Sequence, residues 1–217
     1  MQIKHTFLFS LVLGLVWTGY LFAYITGPEP GRNGLFAGNT CATSGCHTGN
    51  PINSTSGNGS VTLAGLPSAG WTPGQTYPLT VTIQRTGSQV FGFQLSAVSD
   101  SNNSQAGMLT APNARVQVVC SRPTSPNVQV SCGTAGVIQF AEHSNASVVA
   151  STYSVNWTAP DSASFGTVRF NLAGNAGNGD FTNQGDFVYT RVERSEPGAP
   201  PSGVTTVAYT LVDRGGL

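Results

Sequence analysis

Apolar and polar residues alternate in short runs from Gly59 onward, and this pattern restricts the fold more than any other feature of the chain. Leu79, Val81 and Ile83 alternate with threonine and glutamine, and residues 91–97 alternate in the same way. A period of two places successive side chains on opposite faces of a β-strand. No stretch shows the 3.6-residue period of an amphipathic helix, so we predict strands throughout this part of the chain.

Further strands are predicted where the same pattern returns, at residues 115–120, 128–131, 137–142, 153–158, 167–173, 186–193 and 204–212. Turn residues separate the runs, including Pro73-Gly74, Thr86-Gly87, Ala159-Pro160 and the Gly- and Asn-rich stretch 174–185. Short strands at this spacing, without intervening helices, are typical of an antiparallel sandwich. The predicted fold class is therefore all-β, an immunoglobulin-like β-sandwich preceded by an irregular N-terminal segment.

The N-terminus carries an export signal. Residues 7–25 are apolar and follow Lys4, the only lysine in the chain. Removal of residues 1–26 as a signal peptide is expected, and retention as an N-terminal membrane anchor is the alternative, since 19 residues can just span a bilayer. We expect the rest of the chain in the periplasm, at the cell surface or outside the cell.

Charged residues make up only 8% of the sequence, and no basic stripe supports nucleic-acid binding.

Residues 41–47 read Cys41-Ala-Thr-Ser-Gly-Cys46-His47. In the attachment signature C-x-x-C-H, two cysteines form thioethers to haem and the adjacent histidine binds the iron. The spacer here has four residues, but the Cys-His adjacency is kept. We predict one covalent haem c per chain, with Cys41 and Cys46 as the thioether residues and His47 as the proximal ligand.

Two other interpretations of this loop stay open. The first is a Cys41–Cys46 disulfide in an exported protein, with His47 at the surface. The second is a zinc site, although the adjacent Cys46 and His47 are awkward on one ion. Residues 28–59 show neither helical nor strand periodicity, and a segment of that length is expected to fold around a haem or a disulfide.

The sixth iron position could be taken by His143, by Met108 as the runner-up, or by water and small ligands. His143 follows a predicted strand, at the edge of a sheet, where it could project from a rigid element. Met108 lies in a predicted Gly- and Ser-rich loop, which would have to become ordered. His143 could equally hydrogen-bond nearby backbone.

The remaining cysteines, Cys120 and Cys132, flank a proline-containing stretch and are expected to form a disulfide. Trp71 and Trp157 are expected in the core. Asp180, Asn183 and Asp186 could offer oxygen ligands to calcium, but they lack the fixed spacing of a known calcium loop.

Short motifs occur in a set order along the chain: 27–34 (GPEPGRNG), 40–47 (TCATSGCH), 73–77 (PGQTY), 91–97 (FGFQLSA), 142–143 (EH), 157–160 (WTAP), 166–170 (GTVRF) and 173–176 (AGNA). In this order they resemble the reelin-type (Reeler-like) domain in its bacterial exported form, often called the choice-of-anchor V domain. The resemblance implies a β-sandwich. It also implies haem at residues 41–47, because bacterial members often carry C-x-x-C-H there.

The expected organisation is a signal or anchor at residues 1–26, a Cys/His segment at 27–58 and a reelin-like sandwich at 59–213. No hydrophobic sorting tail follows residue 212, so any tether is expected at the N-terminus. We predict a monohaem c-type cytochrome for electron transfer or small-ligand sensing, with a redox protein as partner. The alternative is a structural or adhesive extracellular module without haem. No nucleophile-base-acid set is evident, so we do not expect an enzyme.

Overall fold

The computed structural model describes residues 26–43, 45–145, 151–180 and 182–199. Those residues form ten strands and two short 3-10 turns, at Ser56–Asn58 and Ala163–Phe165. The strands are β1 Ser60–Ala64, β2 Thr76–Gln84, β3 Val90–Ser99, β4 Met108–Thr110, β5 Val116–Arg122, β6 Ser125–Val130, β7 Ile138–His143, β8 Thr152–Thr158, β9 Val168–Gly177 and β10 Phe187–Ser195.

The strands form two sheets, one of four strands in the order β1-β2-β8-β4 and one of six in the order β10-β9-β3-β7-β5-β6. Every pair of neighbouring strands is antiparallel. One main core contains side chains from both sheets. The predicted antiparallel β-sandwich is confirmed.

The core is built around two tryptophans, as predicted. Trp71 and Trp157 are fully buried. Trp157 of β8 meets Phe170 of β9 edge to face, with ring centroids 4.9 Å apart, and meets Trp71 in the same manner at 6.5 Å. Since β8 and β9 belong to different sheets, the packing of these rings joins the two layers of the sandwich.

Two strands were not predicted, and β9 continues into a stretch that was predicted as a turn. β4 has only three residues, too few to show a period, whereas the five residues of β1 (SVTLA) do alternate and were missed. The Gly- and Asn-rich stretch predicted as a turn from residue 174 instead continues β9 to Gly177. Gly174 is needed there because a Cβ at this position would lie 2.7 Å from Cγ1 of Ile83 in the facing sheet.

The apolar segment at residues 7–25 and the predicted strand at 204–212 lie outside the described residues. Within the described ranges, no helix has the length and apolar character needed to cross a membrane.

Cys120 and Cys132 form a disulfide, the pairing expected from the sequence. It connects β5 to the chain just after β6, at the edge of the six-stranded sheet. The bond closes a short loop, with a sequence separation of 12.

Removal of this disulfide is expected to lower the free energy of unfolding by up to about 3 kcal/mol, because closing a short loop restricts the unfolded chain. Urea denaturation of a Cys120→Ala/Cys132→Ser variant would measure the loss. Reduced wild-type protein is the matched control, since it keeps both sulfur atoms. Equal midpoints for oxidised and reduced wild type would contradict the prediction.

Candidate functional site

The outer face of the six-stranded sheet, turned away from the four-stranded sheet, is covered by the irregular N-terminal segment. In β3, Phe93, Leu95 and Ala97 point into the main core, so Gln94 and Ser96 point outward. Both polar residues are nevertheless fully buried. The sequence predicted a haem or a disulfide as the object around which this segment folds, but the sheet itself provides the surface.

Polar side chains of the sheet hold the segment through its backbone. The Gln94 amide oxygen accepts a hydrogen bond from the Arg32 N–H (2.6 Å), and its Nε2 donates to the Glu29 carbonyl (2.9 Å). Asn33 is buried and donates through Nδ2 to the Ser96 hydroxyl (2.8 Å). These bonds satisfy polar groups that would otherwise be buried at a cost.

Glu142 on β7 lies beneath the same segment. Its two carboxyl oxygens accept hydrogen bonds from Nε2 of Gln94 (2.8 Å) and of Gln117 (2.9 Å). Gln117 also donates to the carbonyl of Thr26 (2.7 Å), which connects this network to the start of the described segment. Burial raises the pKa of Glu142 to about 8, against the lowering effect of the two amide donors.

The Cys41–His47 loop is a compact turn within this segment. The N–H of Cys46 donates to the Thr43 carbonyl (2.9 Å), and the N–H of His47 donates to the Cys41 carbonyl (2.9 Å). A hydrogen bond therefore closes the turn between Cys41 and His47. Both cysteines are free thiols in the structure.

The Cys41 thiol faces the sheet. It packs with Ala173 of β9 and Val188 of β10, and its residue is only 7% exposed. Its Sγ contacts the Arg32 carbonyl at 3.6 Å. Burial, followed by the nearby Cys46 thiol, raises the pKa of Cys41 to about 12. Cys41 is therefore a protonated, packed thiol at neutral pH, whereas Cys46 is only half-buried.

His47 is held by a buried carboxylate. Its Nδ1 lies 2.5 Å from Oδ2 of Asp186, and the two side chains are 19% and 4% exposed. The other oxygen, Oδ1, accepts the N–H of Asn178 (3.0 Å), which fixes the carboxylate. In the described part of the chain, no hydrogen-bond partner faces Nε2 of His47.

The chain after His47 is joined to the β9–β10 connection. The N–H of Thr48 donates to the Asn183 carbonyl (2.8 Å), and the N–H of Gly185 donates to the Thr48 carbonyl (2.9 Å). Asn50 Nδ2 donates to the Asp186 carbonyl (3.0 Å). The His47–Asp186 pair therefore sits between two backbone segments that are hydrogen-bonded to each other.

His143, proposed as a sixth ligand, is the last residue of β7, which lies inside the sheet and not at its edge. Its Nδ1 contacts the backbone N and O of Phe93 (3.1 and 3.2 Å). A Cβ on Gly92 would lie 2.6 Å from Cε1 of this ring, so the close approach requires glycine. Three strand spacings, roughly 14 Å, separate the backbones of β7 and β10, and Asp186, which contacts His47, directly precedes β10. The described contacts hold the His143 ring against β3 and the His47 ring against Asp186.

Met108 does not lie in a loop but begins β4, at the edge of the four-stranded sheet. Its side chain is exposed. The Cys41–His47 loop contacts β9 and β10 of the other sheet. The structure therefore places Met108 and His47 on different layers of the sandwich.

Within the described ranges, no three His, Cys, Asp or Glu side chains cluster as a metal site. A haem iron takes four of its ligands from the porphyrin, so it needs only one or two from the protein. Asp186 is the functional residue that sequence reasoning missed as a partner of His47. Its position as the first residue of the strand predicted at 186–193 did not indicate this contact, which joins residues 139 positions apart.

No protein-family model matches this sequence, and no curated protein matches it. The solved chains that resemble the fold include the following two. The reeler domain of human F-spondin has a TM-score of 0.43 and 15% identity, covering 70% of this chain and 94% of that one. A cohesin module of a Clostridium perfringens family 33 glycoside hydrolase has a TM-score of 0.40 and 13% identity, covering 64% and 96%.

Proposed function

We propose that the protein is an exported, non-enzymatic haem module in which Cys41 and Cys46 form thioethers to one haem and His47 binds its iron. The observation that supports this most is the contact between His47 Nδ1 and the buried Asp186. Histidines that bind metals usually donate their second ring nitrogen to a carboxylate or a carbonyl. The Cys120–Cys132 disulfide is compatible with export.

The residues of the loop fit a covalently held haem by their chemistry: two thiols and an imidazole whose Nε2 has no hydrogen-bond partner in the described ranges. Thioether formation requires the Cys41 thiol to leave its packing against Ala173 and Val188. The half-buried Cys46 is the more accessible of the two. When bound, the haem would supply electron transfer with a redox partner protein or binding of a small ligand at the iron.

Export of the full chain in a host with c-type maturation machinery tests the proposal. The expected result is a coloured protein whose denatured chain keeps its haem and whose mass is increased by one haem. Cys46→Ser should lose one thioether. His47→Ala should keep covalent haem but change its ferric spectrum, because only the iron ligand is removed. A Cys120→Ala/Cys132→Ser variant is the matched control, since it removes two cysteines outside the loop.

The second candidate is a structural or adhesive extracellular module in which Cys41 and Cys46 form a disulfide. The closed turn favours it, because the hydrogen bond from His47 N–H to the Cys41 carbonyl returns the chain to its starting point. Burial of Cys41 against the sheet suits a structural sulfur equally well. A colourless exported protein, with a mass lowered by four hydrogens for two disulfides, would favour this candidate and overturn the haem proposal.

A further inference from the structure

We infer that Asp186 is a positioning residue for His47, which holds the imidazole in one tautomer and increases its electron donation to an iron. The part of the inference that concerns iron rests on the haem function proposed above. The part that concerns the tautomer rests on the contact itself. The carboxylate and the ring nitrogen are 2.5 Å apart, in a site where Asp186 is almost completely buried.

The contact determines which ring nitrogen carries the proton. An ionised carboxylate only accepts hydrogen bonds, so the Nδ1 that faces it must be the N–H. Nε2 then keeps its lone pair and is the nitrogen available to a metal. The carboxylate cannot turn away easily, because its second oxygen accepts the backbone N–H of Asn178.

The surrounding backbone keeps this geometry in place. Thr48 directly follows His47, and Gly185 directly precedes Asp186. The N–H of Thr48 donates to the Asn183 carbonyl, and the N–H of Gly185 donates to the Thr48 carbonyl. Both members of the pair are therefore carried on one hydrogen-bonded unit. A histidine that is oriented by its support and by its hydrogen-bond partner needs little rearrangement to bind a metal.

The carboxylate also has an electronic effect. A hydrogen bond from Nδ1 to a negative oxygen makes the imidazole a more basic ligand. A more basic axial ligand stabilises ferric over ferrous iron, and axial ligands with their hydrogen bonds are among the means by which proteins set haem potentials. We therefore expect Asp186 to lower the midpoint potential of the haem.

The first experiment uses haem-free full chain, produced without maturation machinery, and reads the tautomer of His47 by long-range proton–nitrogen NMR at a pH where the ring is neutral. Wild type should show the Nδ1–H form. Asp186→Asn should show a shift towards Nε2–H, because the amide can donate to Nδ1. An unchanged tautomer in Asp186→Asn would overturn the positioning role.

The second experiment uses haem-loaded protein and measures the midpoint potential. Asp186→Asn should give a more positive potential than wild type, and a larger shift than Asp161→Asn. Asp161 is an exposed residue in the turn after β8, so its variant controls for the loss of one charge. Equal shifts for the two variants would overturn the electronic role. Wild type that takes up no haem would overturn the proposed function, while the NMR measurement still decides the positioning role.

Discussion

Replacement of Trp157 by alanine is expected to lower the free energy of unfolding by about 3–5 kcal/mol, the range for truncating a buried large aromatic residue. Trp157 is fully buried and meets Trp71 and Phe170 edge to face. Its Nε1 also donates to the Ala106 carbonyl (2.9 Å), which would lose this bond in the variant. Removing the indole thus leaves a cavity between the sheets and a buried acceptor without its donor.

Chemical denaturation of Trp157→Ala and of Val192→Ala would measure this effect. Val192 of β10 is 45% exposed, so its truncation should cost less than about 0.5 kcal/mol. Domains of this size are stable by about 5–15 kcal/mol, so the expected loss is a large fraction of the total stability. A loss below about 1 kcal/mol would show that this ring does not join the two layers.

Stability is expected to fall as pH rises from about 4.5 to about 8, because of Glu142. The folded pKa of this residue is raised from 4.5 to about 8, so the folded state binds the extra proton in this window. Stability decreases with pH wherever the folded state binds more protons than the unfolded state. The contribution of Glu142 to the free energy of unfolding should therefore be lost progressively up to pH 8, by roughly 5 kcal/mol in total, and level off above it.

Urea midpoints measured at pH 5, 6.5 and 8.5 would follow this loss in wild type and in Glu142→Gln. The amide of glutamine does not titrate, so the urea midpoint of the variant should depend less on pH than that of wild type. This holds even if the variant is more or less stable than wild type at any single pH. Glu193→Gln is a matched control, because Glu193 lies towards the end of the edge strand β10, away from the Glu142 network. If the stability of Glu142→Gln depends on pH as steeply as that of wild type, other titratable groups cause the dependence.

The strands could be predicted because one face of each is apolar and the other is polar. This pattern located β2, β3 and β7 to within a few residues, since alternation is a local property. It failed for β4, whose three residues cannot show a period, and for the end of β9, where Gly and Asn resemble a turn. Residues 174–177 extend β9 because they pair with the neighbouring strands, and glycine is required at 174 because the facing sheet leaves no room for a side chain there.

The covering of the outer face could not be predicted. Gln94 and Ser96 have the polar character of solvent-exposed positions, yet both are fully buried under residues of the N-terminal segment. The partners that bury them are up to 65 positions away along the chain. The motif at Cys41, Cys46 and His47 was visible because its residues are adjacent, whereas Asp186 comes to His47 only through the fold.

The N-terminal segment that covers the outer face of the six-stranded sheet is synthesised before the last strands against which it packs. Residues 32–48 are made early, but the surface that buries them includes Ala173 and Val188, near the other end of the described chain. Asn33 is 138 residues from the Asn171 carbonyl that it contacts. Contacts this distant in sequence form late. Cys41 therefore stays accessible to any modifying enzyme until β9 and β10 have joined the sheet, and is shielded from then on.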